Sequence, residues 1–171
     1  MQISEVIDLF ALGTSLCALF TSLFVAYKQI RLSENSNSFP VAIEMFKEFR
    51  SLEFKQHLNH IITELPKLNS VENPISDLPK DVKKSALTVS HYFDNIGVLV
   101  ANKAVDKKLV ISFLGGTAEN AWEILAPYIK AERKKRPNGM YQEFFENLIY
   151  EIKKSPPEIV MKKLSLKRTG M

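Results

Sequence analysis

Leu9–Tyr27, LFALGTSLCALFTSLFVAY, is a run of nineteen residues without a charged side chain, bounded by Glu5 and Asp8 before it and by Lys28 and Arg31 after it. As a helix rising about 1.5 Å per residue it reaches about 30 Å, the hydrocarbon thickness of a bilayer. Two other kinds of segment share such a run. A secretory signal needs a basic start and a small-x-small cleavage site, but the residues before Leu9 carry acids. The best cut, after Ala26, would place bulky Phe24 three residues upstream. A buried helix of a soluble domain needs a polar stripe, and the only polar side chains here are Ser and Thr. The run is therefore read as a transmembrane helix.

Basic residues stay on the cytoplasmic side of a membrane, and Lys28 and Arg31 follow the span directly. This predicts residues 1–8 as a short extracytoplasmic N-terminus, 9–27 as the span, and the rest of the chain in the cytoplasm. The span also has two faces. At about 100° per residue Ala11, Ser15, Ala18, Ser22 and Ala26 share one side with Thr14 and Thr21, while most Leu and Phe side chains take the other. Small residues let membrane helices approach closely, so this stripe is the expected association face for a second copy or another membrane protein. The competing reading is a plain anchor whose hydroxyls bond back to the preceding turn.

Beyond the span, residues 28–39 contain the polar cluster Ser33–Ser38 and read as a juxtamembrane linker. Pro40 then suits the first turn of a new helix. Apolar residues follow at helical spacing: Val41, Met45, Phe49 and Leu52, then Phe54, Leu58, Ile61, Ile62 and Leu65 up to Pro66. Lys67–Leu78 reads as a loop. Pro79 opens a long helix with Ala86, Val89, Phe93, Ile96 and Val100 inside. Asp106 is placed to cap a short helix ended by Gly115–Gly116, and Thr117 to cap the next, with Ala121, Trp122, Leu125, Tyr128 and Ile129 inside and Pro127 as a kink. Pro137–Asn138–Gly139 is a turn, and Tyr141, Phe144, Phe145, Leu148 and Ile152 line a further helix. Nothing alternates with period two for long enough to form a sheet. The fold class is all-α: one N-terminal transmembrane helix and a small cytoplasmic multi-helix bundle over 40–155, followed by a basic tail, 156–171.

The stretch from about Tyr92 to Leu148 resembles an uncharacterised bacterial family, domain of unknown function 4760. The residues that carry the resemblance are Tyr92-Phe93-Asp94-Asn95-Ile96-Gly97-Val98-Leu99-Val100 and Val105-Asp106 with Leu109-Val110. They continue with Trp122-Glu123-Ile124-Leu125-Ala126-Pro127-Tyr128-Ile129, Arg133, and Tyr141-Gln142-Glu143-Phe144. The family pattern favours Glu where this chain has Asp94. The resemblance implies a small protein of the bacterial inner membrane with an N-terminal membrane helix followed by helices, and it brings no activity with it.

The chemistry-bearing groups are few. His57 and His60 share a helical face with Glu64 a turn on, a spacing that fits either a metal-ligand face or ordinary solvated surface, and the second is preferred. Asp94 and Arg133 are placed to bridge two antiparallel helices or to contact a ligand. Lys134, Lys135 and Arg136, with Lys28 and Arg31, are candidate contacts for anionic headgroups, and Lys162, Lys163, Lys167 and Arg168 extend the same reading into the tail. A net charge of +4 is weak for nucleic acid, and the aromatics sit at core spacing rather than on a stacking surface, so no nucleic-acid partner is expected. The single cysteine, Cys17, lies in the span. With no nucleophile–base set, metal motif or phosphate loop, neither an enzyme nor a cofactor is expected. What remains is a membrane-anchored interaction or regulatory module that self-associates through its span. The alternative is a membrane-perturbing effector of a bacterial defence or toxin-like system.

Overall fold

The computed structural model describes residues 3–68 and 73–164, while the side chains of 4–6, 9 and 31–38 fall outside the description. The described residues are helical, with no strand among them. In order they form α1 (Ile3–Arg50), α2 (Leu52–Glu64), α3 (Lys80–Ala101), α4 (Lys107–Lys135), α5 (Glu143–Lys154) and α6 (Pro157–Lys163). Two 3₁₀ turns, Leu65–Lys67 and Ile75–Asp77, lie between α2 and α3. Contacts divide the chain into two units, residues 1–40 and 41–171.

The first unit contains Phe10–Ile30, long and apolar enough to cross a membrane, with none of its residues buried. Residues 28–39 are a correction to the expected linker, because they are helical and Pro40 lies inside α1 rather than opening a new helix. Ser and Asn cost a helix only about half a kcal/mol each relative to Ala. Once flanking turns have nucleated the helix, such a cluster extends it instead of breaking it.

The second unit is built around an aromatic chain. Phe46 and Phe113 meet at a tilt of 60° with ring centres 4.5 Å apart, and Phe49 lies 5.7 Å from both Phe113 and Phe54. Phe54 touches Tyr92 at 4.4 Å, Phe93 faces Phe145 at 5.2 Å, and Trp122 meets Phe145 edge-on at 4.9 Å. Such pairs add about 0.5–1.5 kcal/mol each to the burial of their area. Two tyrosine hydroxyls tie helices to carbonyls across the core. Tyr92 donates to Met45 O at 2.9 Å, and Tyr128 donates to Leu65 O at 3.2 Å. Burial pushes the Tyr92 phenol well above its ordinary range, with Glu48 adding to the effect, so it stays a donor.

The expected inner face of α3 is buried as read, from Ala86 to Val100. Asp106 caps α4, accepting from Leu109 N at 2.8 Å. Gly115–Gly116, however, does not end a helix, and Thr117 does not begin one, because α4 runs unbroken from Lys107 to Lys135 with Pro127 inside it. The glycine at 115 answers to packing: a Cβ there would lie 2.8 Å from Pro157 Cγ of α6. The tail read from Pro156 onward is likewise partly structured, since α6 buries Val160 against the bundle. Ile75 and Leu78, expected in a loop, are core residues, whereas Leu52 and Phe144 point outward. Tyr141 precedes α5 instead of lining it.

Candidate functional site

One face of α3 organises the start of α5. Ser90, Asp94 and Gly97, three to four residues apart, fall along a single helical stripe. Asp94 Oδ1 accepts from Phe145 N at 2.9 Å, so a carboxylate on α3 supplies the N-terminal cap that α5 lacks in its own sequence. Gln142, at the cap position, is buried with φ 55° and ψ 39°, a left-handed conformation rare outside glycine. Its side chain turns inward, with Nε2 donating to Ser90 Oγ at 3.3 Å, and its buried Oε1 has no partner. Gly97 permits the closest approach, because a Cβ there would lie 2.1 Å from Phe144 O.

From the other side α4 clamps the same segment. Arg133 Nε donates to Tyr141 O at 2.7 Å, Nη2 donates to Gln142 O at 3.2 Å, and Nη1 pairs with Glu146. Glu143 Oε1 also lies 3.2 Å from Nε. The expected Asp94–Arg133 bridge is thereby corrected. The two residues do not meet; each holds Tyr141–Glu146 from its own helix. Arg133 is buried enough that its five donors must be matched locally, and two main-chain carbonyls and two acids do so.

The neighbouring cations are engaged as well. Arg136 stacks over the Tyr141 ring at 4.1 Å and lies 3.6 Å from Glu132. Buried Glu132 accepts from Ser76 N at 2.9 Å. Lys135 contacts both oxygens of Asp77 at 2.7 Å, and that hydrogen bond holds the Asp77 carboxyl below its usual range. The Tyr141 phenol is raised, chiefly by burial. Of the four basic residues from Arg133 to Arg136, three thus have intramolecular partners, and Lys134 is exposed. The headgroup candidates Lys134, Lys135 and Arg136 are all exposed, the last two beside acidic partners. Lys28 is exposed on α1, while the Arg31 side chain and residues Lys167 and Arg168 lie outside the described residues.

His57 and His60, expected on solvated surface, are half-buried. Their Nδ1 atoms lie 3.0 and 2.9 Å from one buried hydroxyl, Ser85 Oγ on α3. Gln56, Asp81 and Lys84 join them around an open groove of 270 Å³. Among the described residues no group of three or more His, Cys, Asp or Glu is placed to hold a metal ion.

On the span, Ser15 Oγ donates to Ala11 O at 2.7 Å, and Thr14 and Thr21 likewise bond back one turn. A shallow groove follows Ala18, Ser22 and Ala26, edged by Thr21, Val25 and Gln29. Sequence reasoning had named Asp94 and Arg133 but missed Ser85, Ser90, Glu132 and Gln142. The one available signal was the acidic first turn of α5, Glu143 and Glu146, beside a basic helix end.

A family model described as "Domain of unknown function (DUF4760)" matches residues 14–152. No curated protein and no solved structure matches the chain.

Proposed function

The chain belongs to the family of that domain of unknown function, and from that premise we propose that it is a membrane-anchored helical interaction module. The apolar stretch of α1 is its anchor and the second unit is its recognition domain. The observation that carries this reading is the complete exposure of Phe10–Ile30, since an apolar helix left bare in water has large unmet burial. A bilayer meets that need. Lys28 at the exit favours an N-terminus outside and the bundle in the cytoplasm of a bacterial inner membrane. The Ala11, Ser15, Ala18, Ser22 and Ala26 stripe is the surface we assign to self-association or to a second membrane helix. Ser15 on the stripe, and Thr14 and Thr21 beside it, bond to their own helix, so packing of small residues, rather than donation by these hydroxyls across helices, would dominate there.

The test expresses the full chain beside a variant with Ala11, Ser15, Ala18 and Ser22 replaced by Leu. Proximity of two tagged copies in membranes is measured together with membrane potential. The module reading expects proximity in the parent chain, its loss in the variant, and an unchanged potential in both. Depolarisation by the parent and not by the variant would favour a membrane-perturbing effector instead. Recovery of the parent chain in the soluble fraction would overturn both.

A further inference from the structure

The His57–Ser85–His60 cluster plays no part in that reading. A hydroxyl has one hydrogen and two lone pairs. Ser85 Oγ lies 3.2 Å from Asp81 O, which can take that hydrogen. In that arrangement both imidazoles donate from Nδ1, and both donors converge on one oxygen. A second proton on either ring then enters at Nε2.

The surroundings treat one added charge and two very differently. On α2, Glu53 Oε1 lies 4.0 Å from His57 Nε2, and Glu64 lies a turn beyond His60, close enough for mutual electrostatic influence. Glu64 is also held by Lys67 from the 3₁₀ turn, at 2.8 Å. On α3, Asp81 and Lys84 line the groove. From α4 the titratable Tyr128 reaches the 3₁₀ turn that follows α2, at Leu65 O. A single imidazolium can keep its bond to Ser85 and lean on a carboxylate. Two imidazoliums would share one neutral oxygen beside Lys84, in a site where His57 has only 14% of its side chain exposed.

We propose that His57, His60 and Ser85 form a proton-sensitive latch between α2 and α3, closed with neither or one ring charged and opened when both are. On opening, one ring swings to water and its bond to Ser85 is lost. Phe54 and Ile61 keep the apolar face of α2 buried, so the opening is confined to its polar edge. Histidine charge changes as a class between about pH 5 and 8, so mild acid is the signal.

The test is a titration of the full chain in nanodiscs over that interval, following both imidazoles by NMR and amide exchange along α2. The latch expects broadened, mutually dependent ring titrations. It also expects amide protection factors at the polar edge of α2, which correct exchange for its intrinsic pH dependence, to fall roughly fivefold to tenfold toward the acid end, the size of one net hydrogen bond. His57→Gln and His60→Gln should each give the remaining ring a simple single-site titration and abolish the fall in protection. Independent single-site titrations in the parent chain, or protection factors that do not change with pH, would overturn the latch without any variant being needed.

Discussion

Gly97 and Phe144 set the distance between α3 and α5: a Cβ on the first would lie 2.1 Å from the carbonyl oxygen of the second and 2.5 Å from its carbonyl carbon. The obstacle is main chain, which cannot rotate away as a side-chain tip can. Gly97→Ala must therefore push α5 off α3 and disturb the Phe93–Phe145 stack. We expect a loss of about 3 kcal/mol or more, at the upper end of overpacking effects, read as a lowered thermal midpoint of the full chain in detergent.

Asp94 and Arg133 converge on one segment without touching. Asp94→Ala should cost about 1–2 kcal/mol, as for loss of an N-terminal cap, while Asp94→Asn keeps an acceptor and should cost about half as much. Arg133→Ala should cost about 2 kcal/mol through the stranded Tyr141 and Gln142 carbonyls and the unpaired acids. Because both hold Tyr141–Glu146, the double variant should fall short of the sum, and chemical denaturation of all four proteins measures the difference.

The adjacent glycines of α4 should respond in opposite directions. At Gly116 a Cβ meets nothing within 4 Å, so Gly116→Ala should stabilise by about 0.5–1 kcal/mol through helix propensity. Gly115→Ala should lose that gain by pressing on Pro157 and loosening α6. Amide exchange in α6 distinguishes the two outcomes.

Acid should weaken the fold partly through Glu151. Its hydrogen bond with Lys107 depresses the carboxyl below the ordinary value of 4.5. A depressed carboxyl contributes stability that is present above the unfolded-state value and lost as pH falls through the folded one. The contribution should thus be complete near neutrality and fade below about pH 4.5. Glu151→Gln should be less stable than the parent at pH 7 and should converge on it in acid, measured by denaturant midpoints across that range.

The regular parts of the fold were legible because burial imposes a period. Ala86, Val89, Phe93, Ile96 and Val100 could face only one way, and Asp106 ahead of an apolar run is a cap by local geometry alone. The errors share a different cause. Gly115 obeys a contact with Pro157 of α6, distant in sequence, rather than the local rule that glycine ends helices. Ile75 and Leu78 are too few to show a period. Asp94 and Arg133 were recognised as partners for something, but sequence does not rank a distant carboxylate against a nearby main-chain amide, and the amide won. Ser85 carries no motif, Gln142 carries only the family resemblance of its stretch, and only the fold reveals what they touch.

The short turn around Ser76 also implies an order of events. Its amide reaches Glu132, and Asp77 reaches Lys135, partners 56 and 58 residues away along the chain. Closing so large a loop is entropically costly and draws little return until the intervening helices are in place. These two contacts should therefore follow the pairing of α3 with α4, a bolt drawn across helices that have already found each other, and they report on an assembled bundle rather than help to start one.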